Sequence, residues 1–149
     1  MRAVITRVAW ARVKVEGEVV GEIGAGVCAL VGVGQGDAES DAIWLADKIV
    51  KARFFSDDQD KMNLSVKDVG GAVLAVSQFT LYGDLRGGNR PSFGEAMEPT
   101  RALELFELVC ERMRASGVAV QTGRFRAHMA VESLNSGPVT LLLDSRKTF

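Results

Sequence analysis

The sequence predicts an α+β fold: a single domain of curved or doubled, mostly antiparallel β-sheets with two main helices packed on one side, a three-layer, barrel-like ββα arrangement. Three observations predict it. The 149 residues are 47% hydrophobic and 25% charged, a mix that suits one soluble domain with a substantial core. Three strand-like segments precede the first helical one, a single strand separates the two helices, and further strands close the chain. Two helices are too few to cover both faces of an open sheet, so the sheet has to curl or double back.

Each element has its own signal. Residues 2–15, "RAVITRVAWARVKV", alternate with period two, placing Val4, Thr6 and Val8 on one face and Ile5, Arg7 and Ala9 on the other, which predicts a long strand. Glu16-Gly17 turns the chain, and "EVVGEIG" returns as the second arm of a hairpin. Residues 26–34, "GVCALVGVG", form a continuous apolar run, as expected of a central strand buried on both faces. Asp37 reads as an N-cap for a helix from Ala38 to about Phe54, in which Ile43, Leu45, Ala46, Ile49 and Val50 recur at helical spacing. "SDDQDKMNLS" is a polar loop, and residues 71–82, "GAVLAVSQFTLY", are a second central strand. A loop with four glycines and two prolines, "GDLRGGNRPSFGEAMEP", is long enough to suggest a functional role. Pro99 suits the first turn of a second helix, running to about Ser116 and stopped by Gly117. Strands at 118–122, 127–133 and 139–144 follow, and "SRKTF" reads as a polar tail without a role.

Composition and motifs exclude several function classes. A net charge of -1 gives no general basic face for nucleic acid, although a local patch is compatible with it. Cys28 and Cys110 sit in apolar runs and read as buried thiols of a reduced, cytoplasmic protein. No signal-peptide core and no apolar stretch of membrane-spanning length is present, so no membrane partner is expected. "GVGQGD" has Asp37 where a dinucleotide fingerprint needs its third glycine, and an acid there repels a pyrophosphate. "DDQDKMN" lacks the glycine and distal glutamate of a calcium loop. His128 is the only histidine, and it reads either as a lone general base or as a partly buried strand residue making one hydrogen bond.

Two polar stretches remain. Ser77, Gln78 and Thr80 interrupt a central apolar strand, where buried polar groups need partners. Either they cap the strand end locally, or the strand end opens into a pocket faced by the Thr80 hydroxyl and the N–H groups of Phe79 and Thr80. "NSGPVT" at 135–140 places Gly137-Pro138 directly before a strand. That pair serves either as an ordinary strand-start proline or as a display of two carbonyls toward a ligand ammonium, since proline cannot donate and an X-Pro bond adopts cis at low cost.

"SQFT" and "NSGPVT" together resemble the two signature motifs of the D-aminoacyl-tRNA deacylases. "RVAWARVKVEGEVVGEIGAGV", "RFFSDDQDKMNLSVKDVGGAVLAVSQFTLYGD", "RPSF" and "TGRFRAHM" extend the resemblance over essentially the whole chain. It implies a homodimer with active sites at the interface, which hydrolyses the ester between a D-amino acid and the 3′-terminal ribose of tRNA. No metal and no cofactor are implied. Gly137 and Pro138 would reach across the interface as a cis pair, accepting from the substrate ammonium and clashing with an L side chain, so achiral glycyl-tRNA would be a side substrate. Phe79 and Thr80 would donate backbone N–H groups to the carbonyl, Ser77 and Gln78 would shape the pocket, and Arg7 would brace the Gly-Pro loop by bonding its carbonyl groups. Phe125 and Met129 would line the adenosine end, with Asn135, Val139 and Thr140 completing the substrate-binding motif. Either the Thr80 hydroxyl would attack the ester itself, or the ribose 2′-hydroxyl would activate water, the route that the resemblance favours. Arg86, Arg90, Arg124, Arg126 and Lys51 are candidates for a basic rim facing the acceptor end. A non-catalytic RNA-binding module on the same fold is the alternative from another class.

Overall fold

The computed structural model describes residues 1–149. In chain order it contains β1 (Arg2–Val15), β2 (Glu18–Ile23), β3 (Gly26–Gly32), α1 (Glu39–Lys51), β4 (Phe55–Ser56), β5 (Met62–Leu64), β6 (Ala72–Ser77), a 3-10 turn (Phe79–Tyr82), α2 (Pro99–Ala115), β7 (Ala119–Thr122) and β8 (Ala130–Asp144). The main sheet runs β2-β1-β3-β6-β7, with β8 on the other edge of β1. All three partners of β1 are antiparallel to it, whereas β3–β6 and β6–β7 are parallel pairs, each joined through a helix. The sheet curls until β2 lies against β6 and β7. At that seam a Cβ on Gly21 would stand 2.2 Å from the Thr122 carbonyl oxygen, so only glycine permits the closure.

The curl divides the interior in two. Ala3, Ile5, Val27, Ala29, Val31, Val73 and Ala75 face the helices and meet Leu45, Ile49, Leu105, Val109 and Met113. Val8, Ala11, Val13, Ile23, Cys28, Leu74 and Val76 fill the inside of the curl. β3 and β6 are buried on both sides, which is why each reads as an unbroken apolar run. β1 changes sides. Ile5 and Val13 are both odd-numbered yet belong to different cores, so the strict alternation predicted from sequence is broken once, at the register shift between Val8 and Trp10.

Several boundaries differ from the sequence reading. α1 begins at Glu39 with Ala38 as N-cap, and the capping carboxylate is Asp41, which accepts the Ala38 N–H at 2.8 Å. Asp37 is instead buried. It accepts the Gly34 N–H at 2.6 Å, pairs with the Met1 ammonium at 3.0 Å and with Arg146 at 3.0 Å. Those positive partners outcompete a helix N-terminus for its charge. The chain end is therefore not a tail without a role: Ser145 accepts from Met1 and donates to Asp41 at 2.7 Å. The strand over 71–82 stops at Ser77, and the two strands read at 127–133 and 139–144 are one, β8, interrupted by a bulge. The loop after α1 contains the short β4–β5 hairpin, whose turn is tied by Asp57 accepting from the Gln59 and Lys61 N–H groups.

Candidate active site

Where β6 ends, Gln78 still donates its N–H to the Val31 carbonyl at 2.7 Å, and the chain then winds into the 3-10 turn. The turn's own ladder begins with the Leu81 N–H reaching the Gln78 carbonyl at 3.3 Å. The N–H groups of Phe79 and Thr80 precede that first bond, so no carbonyl of the turn accepts from them. Both residues are exposed and line a cavity of about 520 Å³. Two adjacent free donors at the mouth of an apolar cleft suit an oxygen that gains negative charge. Ser77 and Gln78 line the same cavity, and the Gln78 amide donates to the Thr80 hydroxyl at 3.0 Å.

Phe125 and Met129 also line the cavity, together with Arg126. Phe106 of α2 lies beside Phe125 with ring centroids 6.3 Å apart. Phe93, from the long loop, meets Phe79 edge-on at 5.1 Å. That loop is pinned to the end of β3 by the Met97 N–H donating to the Val33 carbonyl at 3.0 Å and the Gln35 N–H to the Glu95 carbonyl at 2.8 Å. Phe93, Met97 and Phe106 belong to the cleft but escape sequence reasoning. The first two sit in an irregular loop, and Phe106 falls on the apolar stripe of α2, which reads as core. His128 lies outside the lining, exposed in the loop before β8 rather than half-buried in a strand.

The second motif lies elsewhere in the chain. Gly137 and Pro138 do not line the cavity that holds Thr80. They form the exposed tip of the β8 bulge, their peptide bond is cis, and Gly137 has φ 140°. Arg7 sits beneath it, donating from Nε to the Ser136 carbonyl at 2.8 Å and from Nη1 to the Phe54 carbonyl at 3.0 Å. The carbonyl of the Gly-Pro loop that Arg7 holds is that of Ser136. Asn135 bonds within its own strand, to the Val139 N–H and the Thr140 hydroxyl, and the Val139 side chain is buried in the main core.

The family model described as D-Tyr-tRNA(Tyr) deacylase matches residues 4–144, nearly the whole chain. The chain belongs to the D-aminoacyl-tRNA deacylase family. Relatives named D-aminoacyl-tRNA deacylase from Koribacter versatilis and Thermotoga petrophila are 58% and 56% identical, each aligned over all of both chains. A solved structure titled c-Myc DNA Unwinding Element Binding Protein superposes with a TM-score of 0.91 at 36% identity, covering 97% of this chain and 98% of that one. Another, of a probable eukaryotic D-amino acid tRNA deacylase, shares the fold with a TM-score of 0.78 at 15% identity, covering 95% and 97%.

The electrostatics of this deacylase are local. Arg86 closes on Asp84 with a guanidinium–carboxylate pair at 2.7 Å, and its hydrogen bonds pull the Asp84 carboxyl down to about 2. Arg86 is therefore already partnered, whereas Arg126 lines the cavity itself. Lys51, Arg90 and Arg124 are exposed. Burial pushes the Cys28 and Cys110 thiols up to about 11, which keeps them protonated and unreactive at neutral pH.

Proposed function

We propose that this chain hydrolyses D-aminoacyl-tRNA in a pocket that two copies complete together. The observation that carries this reading is the division of the motifs. The cleft holds the Phe79 and Thr80 donors but not Gly137-Pro138, which lies at an exposed tip of β8. β8 pairs only with β1, and Val131, Leu134, Leu141 and Leu142 along it are exposed. An unpaired strand edge with apolar side chains is a surface made for covering. A second copy docked there would bring its Gly-Pro tip to the cleft of the first.

In that arrangement the terminal adenosine lies against Phe125 and Met129, since an unstacked base seeks an aromatic or apolar surface. The Gly137 and Pro138 carbonyls of one copy accept from the substrate ammonium bound by the other. An L side chain then runs into backbone and a D side chain points away, a rejection by clash that needs no side-chain chemistry. Glycine has no side chain to reject, so glycyl-tRNA is cleaved as well. The ribose 2′-hydroxyl orients a water whose oxygen attacks the ester carbon. The Phe79 and Thr80 N–H groups stabilise the resulting oxyanion, the bond to the ribose 3′-oxygen breaks, and that oxygen takes up the proton that the attacking water gives up.

The test is hydrolysis of matched D-Tyr-tRNA and L-Tyr-tRNA by the purified protein, with its mass in solution measured alongside. Loss of the D ester alone, from a dimer, is the expected result. Survival of both esters would favour a non-catalytic RNA-binding module, and cleavage of both would remove the filter.

A further inference from the structure

We propose that Asn135 is a positioning residue for the Gly137-Pro138 tip, and thereby for the D/L selection assigned to it. The proposal rests on the reading of that pair as the chiral filter. In the β1–β8 ladder Thr6 pairs with Thr140 and Val8 with Asn135. One residue of β1, Arg7, therefore stands opposite four of β8, residues 136 to 139. A four-residue excursion has lost its ladder bonds and needs others to hold a fixed shape.

Asn135 supplies them from one planar amide. Its Oδ1 accepts the Val139 N–H at 2.9 Å, and its Nδ2 donates to the Thr140 hydroxyl at 3.0 Å. The two bonds start at the entry of the bulge and land on consecutive residues at its exit. The amide closes the mouth of the bulge like a staple, while Arg7 holds the Ser136 carbonyl from below. The Val139 side chain sinks the exit into the main core. Entry and exit are thus both fixed, and only the Gly137-Pro138 tip projects.

This matters for selection because the filter works by clash. A clash that yields rejects nothing, so discrimination depends on the rigidity of the tip more than D-ester binding does. Loosening the staple admits the L ester before it abolishes turnover of the D ester. A loss of general stability alone would lower both rates together.

The experiment compares single-turnover hydrolysis of D-Tyr-tRNA and L-Tyr-tRNA by the wild type, Asn135→Ala, Asn135→Asp and Thr140→Val, each well below its own melting temperature. The D/L rate ratio is expected to fall about tenfold in Asn135→Ala, through a faster L reaction, as two hydrogen bonds are removed. Asn135→Asp is expected to restore most of the ratio: a carboxylate oxygen still accepts from Val139, and the Thr140 hydroxyl turns to donate to the other. Thr140→Val, which removes one bond, is expected to fall between. A folded Asn135→Ala with the wild-type ratio overturns the proposal. If that variant does not fold, an unchanged ratio in Thr140→Val does so. A wild type that cleaves both esters alike overturns the filter reading and this role with it, whereas a selective wild type with unaltered variants overturns the Asn135 role alone.

Discussion

The side-chain amide of Gln78 donates to the Thr80 hydroxyl at 3.0 Å. The Thr80 hydroxyl is therefore held by a neighbour that cannot act as a base. Ala127 and Met129 line the cavity, but His128 between them does not. A hydroxyl nucleophile needs a base within hydrogen-bond reach. Thr80→Ala is thus expected to keep its single-turnover rate on D-Tyr-tRNA within about tenfold of wild type, because alanine retains the N–H, and loss of a whole oxyanion donor costs about 10²–10³. His128→Ala is expected to leave the rate unchanged. A fall of Thr80→Ala into the range of a lost donor, in folded protein, would put the hydroxyl in the chemistry.

Gly137 is the least replaceable residue of the bulge. At φ 140°, a Cβ there would stand 2.7 Å from Val139 Cγ2 and 3.0 Å from Arg7 Nη2. Val139 is anchored in the core and Arg7 holds two carbonyls, so neither neighbour is free to give way. Gly137→Ala is expected to cost about 1–3 kcal/mol in stability. Chemical denaturation measures that cost, and the D/L ratio is expected to drop in the same variant. Wild-type stability and selectivity together would show that the bulge tolerates a side chain.

The architecture was legible because its signals are local. Buried parallel strands read as apolar runs, and helices 13 and 17 residues long read by their stripes. What the pattern could not show was where a strand changes partner. The 3-10 turn at Phe79 looks like more strand because Phe, Leu and Tyr suit either, and the last bond of the ladder, from the Gln78 N–H to Val31, lies directly before it. The bulge of β8 looks like a turn between two strands because Asn, Ser, Gly and Pro signal a turn whether or not β1 continues past it. Asp37 read as a cap because its true partners, Met1 and Arg146, lie far away in the chain. The two site motifs were visible as residues, whereas their separation in one chain is a property of topology alone.

Arg2 ties the 3-10 turn to the end of the chain. Its Nη1 donates to the Leu81 carbonyl at 3.2 Å, its guanidinium lies 4.6 Å from the centre of the Tyr82 ring, and its Nε is 3.5 Å from Asp144. Two of these contacts grip the turn that carries Phe79 and Thr80, and the third, an ion pair, ties the same rigid fork to β8. Arg2→Lys keeps the charge but loses the fork. It is expected to lower the single-turnover rate several-fold with little change in the half-saturating substrate concentration, since it touches the turn and not the cleft wall. Steady-state and single-turnover kinetics side by side check this, and an effect confined to half-saturation would refute it.

The same end of the chain contributes two partly buried carboxylates to the response to acid. Burial alone would raise the Asp144 carboxyl, but hydrogen bonds from the Thr148 hydroxyl and the Arg146 N–H, with the positive Met1 ammonium and Arg2 nearby, hold it below its ordinary value. Asp41 is lowered in the same way: burial opposes, while the Ala38 N–H, the Ser145 hydroxyl and the Met1 ammonium prevail. A carboxyl whose folded value is depressed binds a proton more readily when the chain is unfolded. Its contribution is complete above the unfolded value of about 4 and disappears as pH falls through the lower folded value. The melting temperature is therefore expected to hold from neutral pH down to about 5 and to fall steeply below 4. Asp144→Asn is expected to lower it by roughly 2–8 °C at pH 7 and to flatten the acid limb. Thermal melts of both proteins across that range decide the point, since parallel curves would mean that the fall comes from carboxylates elsewhere.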